Sequence, residues 1–245
     1  MVKIFAYLRM SLGTLYLIPV PLSETADEAT FTLFAKQIMH QVDEYIVENA
    51  KTARKFLKLA GTPIPQNKLI LHDYGKHARQ QADKSFFFKG LLAGKDVGLM
   101  SEAGCPGIAD PGAEIVAEAH RLGVKVVPLV GPSSIVLALM ASGFNGQSFA
   151  FQGYLPIDKA ARNKKLKQLE TTVRSLEQTQ IFIETPFRNN QLLEEIIRAC
   201  SPNTRLCIAC NLTAPNEWIA SMPLSKWKGR DIDLHKKPAI FLMGS

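Results

Sequence analysis

The chain has little of what would set it apart from ordinary globular proteins. No apolar run approaches the ~20 residues that a bilayer-spanning helix needs, so no membrane segment is expected. There are only four cysteines, Cys105, Cys200, Cys207 and Cys210, in 245 residues. That is too few for a disulfide framework, and reduced thiols of a cytoplasmic protein are expected. Cys207-x-x-Cys210 has no second CxxC or His pair beside it and falls in the strand-like Arg205-Leu-Cys-Ile-Ala209. Buried structural thiols are therefore expected, not a zinc or redox pair. His72, His77 and His235 show no metal-ligand spacing and are expected as surface or capping residues; no Ser stands in a GxSxG elbow. Metalloenzymes and elbow-type hydrolases lose their support, and no metal is expected. Residues 1–10 lack a long hydrophobic core and a small-residue cleavage site, so no signal peptide is expected there. Met10 offers a second start, and residues 1–12 are read as an N-terminal extension.

An acidic excess is missing too. Lys and Arg number 29 against 22 Asp and Glu, a net charge of +7, which admits a polyanionic partner without requiring one. Apolar content of 47% and charged content of 21% are those of a folded domain. Along residues 13–142, five short apolar runs (13–20, 45–48, 68–71, 97–100 and 124–130) alternate with helical periodicity over 23–39, 52–59, 79–92 and 114–122. This predicts a doubly wound parallel sheet with helices on both faces, its ligand loops at the carboxyl ends of the strands. The pattern changes after residues 142–146. Strand-like runs at 148–152, 180–184, 204–210, 217–221 and 239–243, with helices at 158–176 and 190–200, predict a second α/β domain with a mixed sheet over 143–245.

Residues 97–112, VGLMSEAGCPGIADPG, pass from an apolar strand through a Gly/Pro-rich loop into a helix. That layout brings backbone N–H groups and a helix start to a ligand. The loop superficially fits a dinucleotide fingerprint, but the next strand, 124–130, ends in Gly131-Pro-Ser-Ser134 without the carboxylate that would hold a ribose. An ordinary dinucleotide-binding loop is therefore excluded. Ser133 or Ser134 is placed to cap the following helix or to touch a ligand. Lys159, Arg162, Lys164, Lys165 and Lys167 give one helix a basic face, either solvated or following phosphates. Glu184-Thr-Pro-Phe-Arg188 sets an acid and an arginine around a proline turn, as an ion pair or as substrate-orienting groups.

Taken in order, residues 97–112, Gly131-Pro-Ser-Ser134, Phe151-Gln-Gly-Tyr-Leu-Pro156 and Glu184-Thr-Pro-Phe-Arg188 resemble the tetrapyrrole (corrin/porphyrin) methylase family. The resemblance runs from about Gly13 to the C-terminus. Within the family the chain is most similar to the branch that methylates a cytidine 2′-oxygen of ribosomal small-subunit RNA. The resemblance implies two α/β domains with S-adenosyl-L-methionine in the cleft between them, a homodimer, no metal, and ribosomal RNA or the small ribosomal subunit as partner. By position, the cofactor would touch Pro21, Glu102, Cys105, Ile108, Ser133, Ser134, Leu212 and Ala239. Glu184 and Arg188 would lie toward the substrate. Apart from the resemblance, a ribose hydroxyl has to lose its proton, and Glu184 is a candidate for that base, no catalytic residue being assigned.

The chain departs from the branch in its other loops. Thr-Pro-Ile-Gly-Asn-Leu is here Val20-Pro-Leu-Ser-Glu-Thr25, and Glu-Asp-Thr-Arg is Glu48-Asn-Ala-Lys51. His-Glu-His-Asn is His72-Asp-Tyr-Gly75, and Arg-Glu-Leu-Thr-Lys is Cys210-Asn-Leu-Thr-Ala214. Replacing Arg by Lys loses bidentate phosphate geometry, and replacing it by Cys loses the charge. The expectation is a methyltransferase acting on RNA ribose. The alternatives are methylation of a tetrapyrrole or other small molecule, and a non-catalytic cofactor-binding paralogue.

Overall fold

The computed structural model describes residues 11–23, 25, 30–75 and 84–245. Most of the expected N-terminal extension, Glu24 as a helix start, His77 and the beginning of the helix expected from Arg79 lie outside these residues. By contact the chain divides into two units, residues 1–21 with 27–132 and residues 22–26 with 133–245.

The first unit holds five strands: β1 (Thr14–Leu17), β2 (Glu44–Val47), β3 (Ile70–Asp73), β4 (Val97–Met100) and β5 (Lys125–Pro128). They pair in parallel in the order β3-β2-β4-β1-β5, as the alternation predicts. β2 and β4 are buried along their whole length, which explains why they read as short continuous apolar runs. On one face the helices Leu33–Gln41 and Ala50–Leu59 contribute Ile38, Met39, Phe56 and Leu57 to a core with Tyr45 and Val47. On the other, Phe87, Phe88 and Leu91 join Ile115 and Ala119 of the helix Ala113–Arg121. Among the described residues the first α-helix begins at Leu33, where Thr32 supplies the cap: its side chain accepts from the Ala35 N–H at 3.1 Å; Ser23 is not helical.

The second unit carries β6 (Phe149–Tyr154), β7 (Thr179–Ile183), β8 (Arg205–Cys210), β9 (Trp218–Pro223) and β10 (Ala239–Gly244). Their order is β6-β7-β10-β8-β9; β6 and β7 are parallel and the other pairings antiparallel. The helices Lys159–Leu176 and Asn189–Ala199 cover one face through Leu166, Leu169, Leu192 and Ile196. The helix Ser134–Ser142 covers the other through Ile135 and Ala138, packed with Ile181, Cys207, Ile240 and Leu242. The Ser221 hydroxyl also donates to the Ser142 carbonyl at 2.7 Å. These contacts tie residues 133–142 to the second unit, whereas the sequence places the border after them, near 142–146. The difference has a plain cause. This helix is apolar nearly all round, so its periodicity does not tell which sheet it covers.

Candidate functional site

At the carboxyl end of β4 the chain enters residues 101–112. Ser101 is buried and its hydroxyl donates to the Ala103 and Gly104 carbonyls at 3.3 and 3.4 Å. Gly104 sits at φ 73° and forms an antiparallel bridge with Val20 after β1. Val20 N–H meets the Gly104 carbonyl at 2.9 Å, and Gly104 N–H meets the Val20 carbonyl at 3.0 Å. A left-handed glycine lets the loop turn back while both backbone groups are satisfied. Internal bonds from Gly107 N–H to the Pro111 carbonyl and from Ile108 N–H to the Cys105 carbonyl then close the loop on itself. Gly131 brings a third loop against the first: a Cβ there would lie 2.4 Å from Pro19 Cβ.

On this frame the predicted residues of the first unit stand close together. Pro21 is half-buried one residue past the bridge. Glu102 is exposed, with Thr52 Oγ1 donating to it at 3.3 Å. Ile108 is 53% exposed, an apolar side chain held out on a braced loop. Cys105 is half-buried; its thiol donates to the Pro132 carbonyl at 3.4 Å, and burial pushes its pKa up. Asn49, where the branch has Asp, accepts from the Lys51 and Thr52 N–H groups and caps the helix Ala50–Leu59. The carboxylate lost there leaves the local structure intact, since Asn caps as well as Asp. A cavity of about 420 Å³ lies at the opposite ends of these strands, near Asp43, Lys68 and Asp96, away from the loops.

In the second unit Ser133 is a cap, its hydroxyl accepting from Val136 N–H at 3.5 Å, and Ser134 opens the helix. The same rim of the second sheet gathers the other predicted residues. Glu184 follows β7, Ala239 begins β10 opposite Cys210, and buried Leu212 follows β8. Asn211 and Thr213 adopt positive φ there, at 52° and 66°.

Glu184 and Arg188 come together as an ion pair. The Thr185 N–H and Arg188 Nη2 both donate to Glu184 Oε1 at 2.6 Å. The Glu184 side chain is 2% exposed and that of Arg188 33%. A carboxylate enclosed in this way orients the arginine; the arginine is the member that reaches solvent.

Arg162 is a correction to the basic face. It is buried, with Nε and Nη2 donating to Glu195 at 2.5 and 2.8 Å and Nη1 to the Pro156 and Ile157 carbonyls. The face that remains is Lys159, Lys164, Lys165 and Lys167. Cys207 and Cys210 lie in different cores on opposite faces of β8, as structural thiols do. Burial pushes the Cys207 thiol up to about 12. His72 lies within β3, half-buried, its Nε2 at 2.9 Å from buried Glu44, in place of the surface or capping role expected. The pairing joins neighbouring strands that sequence spacing does not connect.

A parallel α/β unit with braced carboxyl-end loops, followed by a mixed α/β unit, places the chain in the class of two-unit α/β proteins with ligand loops at strand ends. The chain belongs to the tetrapyrrole (corrin/porphyrin) methylases, whose family profile matches residues 14–227, and it is a methyltransferase. Among its relatives is ribosomal RNA small subunit methyltransferase I of Vibrio cholerae serotype O1, 34% identical over 94% of this chain and 76% of the relative. The protein of the same name from Escherichia coli O157:H7 is 30% identical over 95% and 78%. The solved methyltransferase CobJ shares the fold with a TM-score of 0.62 at 17% identity, covering 95% of this chain and 94% of that one. Uroporphyrin-III-C-methyltransferase from Thermus thermophilus does so with a TM-score of 0.55 at 18% identity, over 95% and 92%.

Proposed function

We propose that the protein transfers the methyl group of S-adenosyl-L-methionine to a ribose 2′-oxygen of small-subunit ribosomal RNA. The observation that carries this reading is the identity of 34% and 30%, over nearly the whole chain, to relatives named for methylating that RNA. The residues present suit the donor. Glu102 is an exposed carboxylate and Ile108 an exposed apolar side chain on one braced loop, which suits a ligand with polar hydroxyl and amino groups and an apolar stem. Pro21 and Cys105 belong with them in the first unit, and Ser133, Ser134, Leu212 and Ala239 in the second.

The sulfonium supplies an activated methyl group. The chain's own task is to hold an acceptor oxygen in line with it. Arg188, oriented by Glu184, is suited to an RNA phosphate. On the helix Lys159–Leu176, the exposed or half-exposed Lys159, Lys164, Lys165 and Lys167 extend the positive surface. Action on ribosomal RNA would be carried out in the cytoplasm, by a homodimer as the family resemblance implies.

The test is calorimetric titration with S-adenosyl-L-methionine and its demethylated product, followed by transfer of labelled methyl to small ribosomal subunits. Binding of both ligands and label in the RNA are expected. Absence of binding to both ligands overturns the donor assignment, and binding with no label in RNA overturns the acceptor.

A further inference from the structure

A cavity of about 300 Å³ opens in the second unit, lined in part by Asn211, Asn216, Trp218, Asp231, Asp233 and Lys237. It adjoins the rim described above, since Cys210, also in its wall, pairs with Ala239.

Its walls are braced. Trp218 meets buried Trp227 edge-on at 6.1 Å, and the Trp227 indole N–H is fixed by the Leu206 and Met222 carbonyls. The loop over residues 233–237 is pinned by two asparagines that follow the Glu184–Arg188 turn. Asn190 Nδ2 donates to Asp233 Oδ1 at 2.9 Å, Leu234 N–H donates to Asn190 Oδ1 at 2.7 Å, and Asn189 Nδ2 donates to the Lys237 carbonyl at 2.7 Å. Lys237 Nζ donates to the Asp233 carbonyl at 2.7 Å. Bonds from Asn190 and the His235 N–H hold the Asp233 carboxyl below the usual range, so it is ionised at neutral pH. Residues 228–236 leading into and through this loop present Lys228, Arg230 and Lys236 to solvent.

This combination is specific in its chemistry. An aromatic wall in a cavity of this volume fits a flat heterocycle. Carboxylates accept from an exocyclic amine and repel a carbonyl at the same place. Exposed cations on the segment that supplies Asp231 and Asp233 suit a phosphate chain. We infer that the cavity receives an unstacked RNA base bearing an exocyclic amine, lying on Trp218 with its amine toward Asp231 and Asp233. The inference rests on the reading of the chain as an RNA methyltransferase and assigns the part that selects the nucleotide.

The experiment uses the full chain without donor. Labelled U-rich pentanucleotides with central cytidine, adenosine or uridine are titrated by fluorescence anisotropy, and S-adenosyl-L-methionine is titrated separately by calorimetry. The cytidine and adenosine probes should bind about tenfold tighter than the uridine probe. Trp218→Ala should weaken their binding about tenfold, and Trp218→Phe, which keeps a ring against Trp227, should restore most of it. Asp231→Ala, at an exposed position, should narrow the preference over the uridine probe to about threefold, the remainder being supplied by Asp233. Equal binding of all three by the unaltered chain overturns the inference. So does a Trp218→Ala protein that loses donor affinity while its RNA affinity stays the same, since the cavity would then serve the donor. If the variants behave as expected but no methyl reaches RNA, the methylation reading fails and the pocket stands. If methyl reaches RNA and neither Trp218→Ala nor Asp231→Ala changes probe binding, the pocket fails and the methylation reading stands.

Discussion

Arg162 illustrates what a single residue does once its surroundings are known. Four lysines near it in sequence remain at least partly exposed, whereas its guanidinium is enclosed with Glu195 and two carbonyls. Removing one member of such a pair strands the other in a poorly solvated place. Glu195→Ala should therefore lower unfolding free energy by about 3–5 kcal/mol at pH 7, read by urea denaturation. An unchanged midpoint would refute this. The pH dependence follows from the Glu195 carboxyl being held below its usual range, chiefly by the Arg162 hydrogen bond. Its contribution is fully present above the unfolded value near 4.3 and disappears as pH falls through the lower folded value. The advantage of the unaltered chain over Glu195→Ala should thus begin to shrink below about pH 4. Gly131 is the second informative residue. The 2.4 Å approach to Pro19 leaves no room for a methyl group. Gly131→Ala should cost about 1–3 kcal/mol by overpacking and displace the first loop, which calorimetry would read as weakened donor binding.

At the scale of elements, much was legible because apolar periodicity reports burial directly. β4 matches its expected bounds of 97–100, and β10 begins at Ala239 as expected. Asp158 caps the helix Lys159–Leu176, its side chain accepting from Ala161 N–H at 2.8 Å. What could not be read is which distant residues meet. Val20 with Gly104, His72 with Glu44 and Arg162 with Glu195 are pairings across elements, and a single chain carries no signal of them. The same limit hid the cavity beside Trp218. Its wall is assembled from residues 210–218 and 231–237, and neither segment alone forms a motif. The basic helix has its own prediction. Reversing Lys164 and Lys165 to Glu should weaken binding of ribosomal RNA and flatten the dependence of affinity on salt. Filter binding between about 50 and 200 mM salt would measure both, and an unchanged slope would remove this helix from the RNA surface.

For the whole molecule, each unit has a sheet covered on both faces; Leu212 and Ala239 are packed into the cores of the second unit, whereas Glu102 and Ile108 stand on an exposed loop outside any core. Substitutions at Glu102 or Ile108 should therefore reduce donor affinity with little change in stability. Donor binding should raise the unfolding temperature by mass action. At a donor concentration ~100 times its Kd the gain is about 2.7 kcal/mol, which differential scanning calorimetry would register. A chain whose melting temperature ignores the donor would contradict the assignment.

The distribution of thiols gives the proposed donor loop a built-in reporter. Cys200, Cys207 and Cys210 are buried and Cys105 is half-buried, all with burial raising the pKa. Burial limits a small alkylating reagent at the first three sites, so in the folded protein it should label Cys105 first, and faster as pH rises toward about 9. Because Cys105 shares its braced loop with Glu102 and Ile108, the rate of that labelling becomes a clock. It should slow when the donor is bound and run freely when the loop is empty.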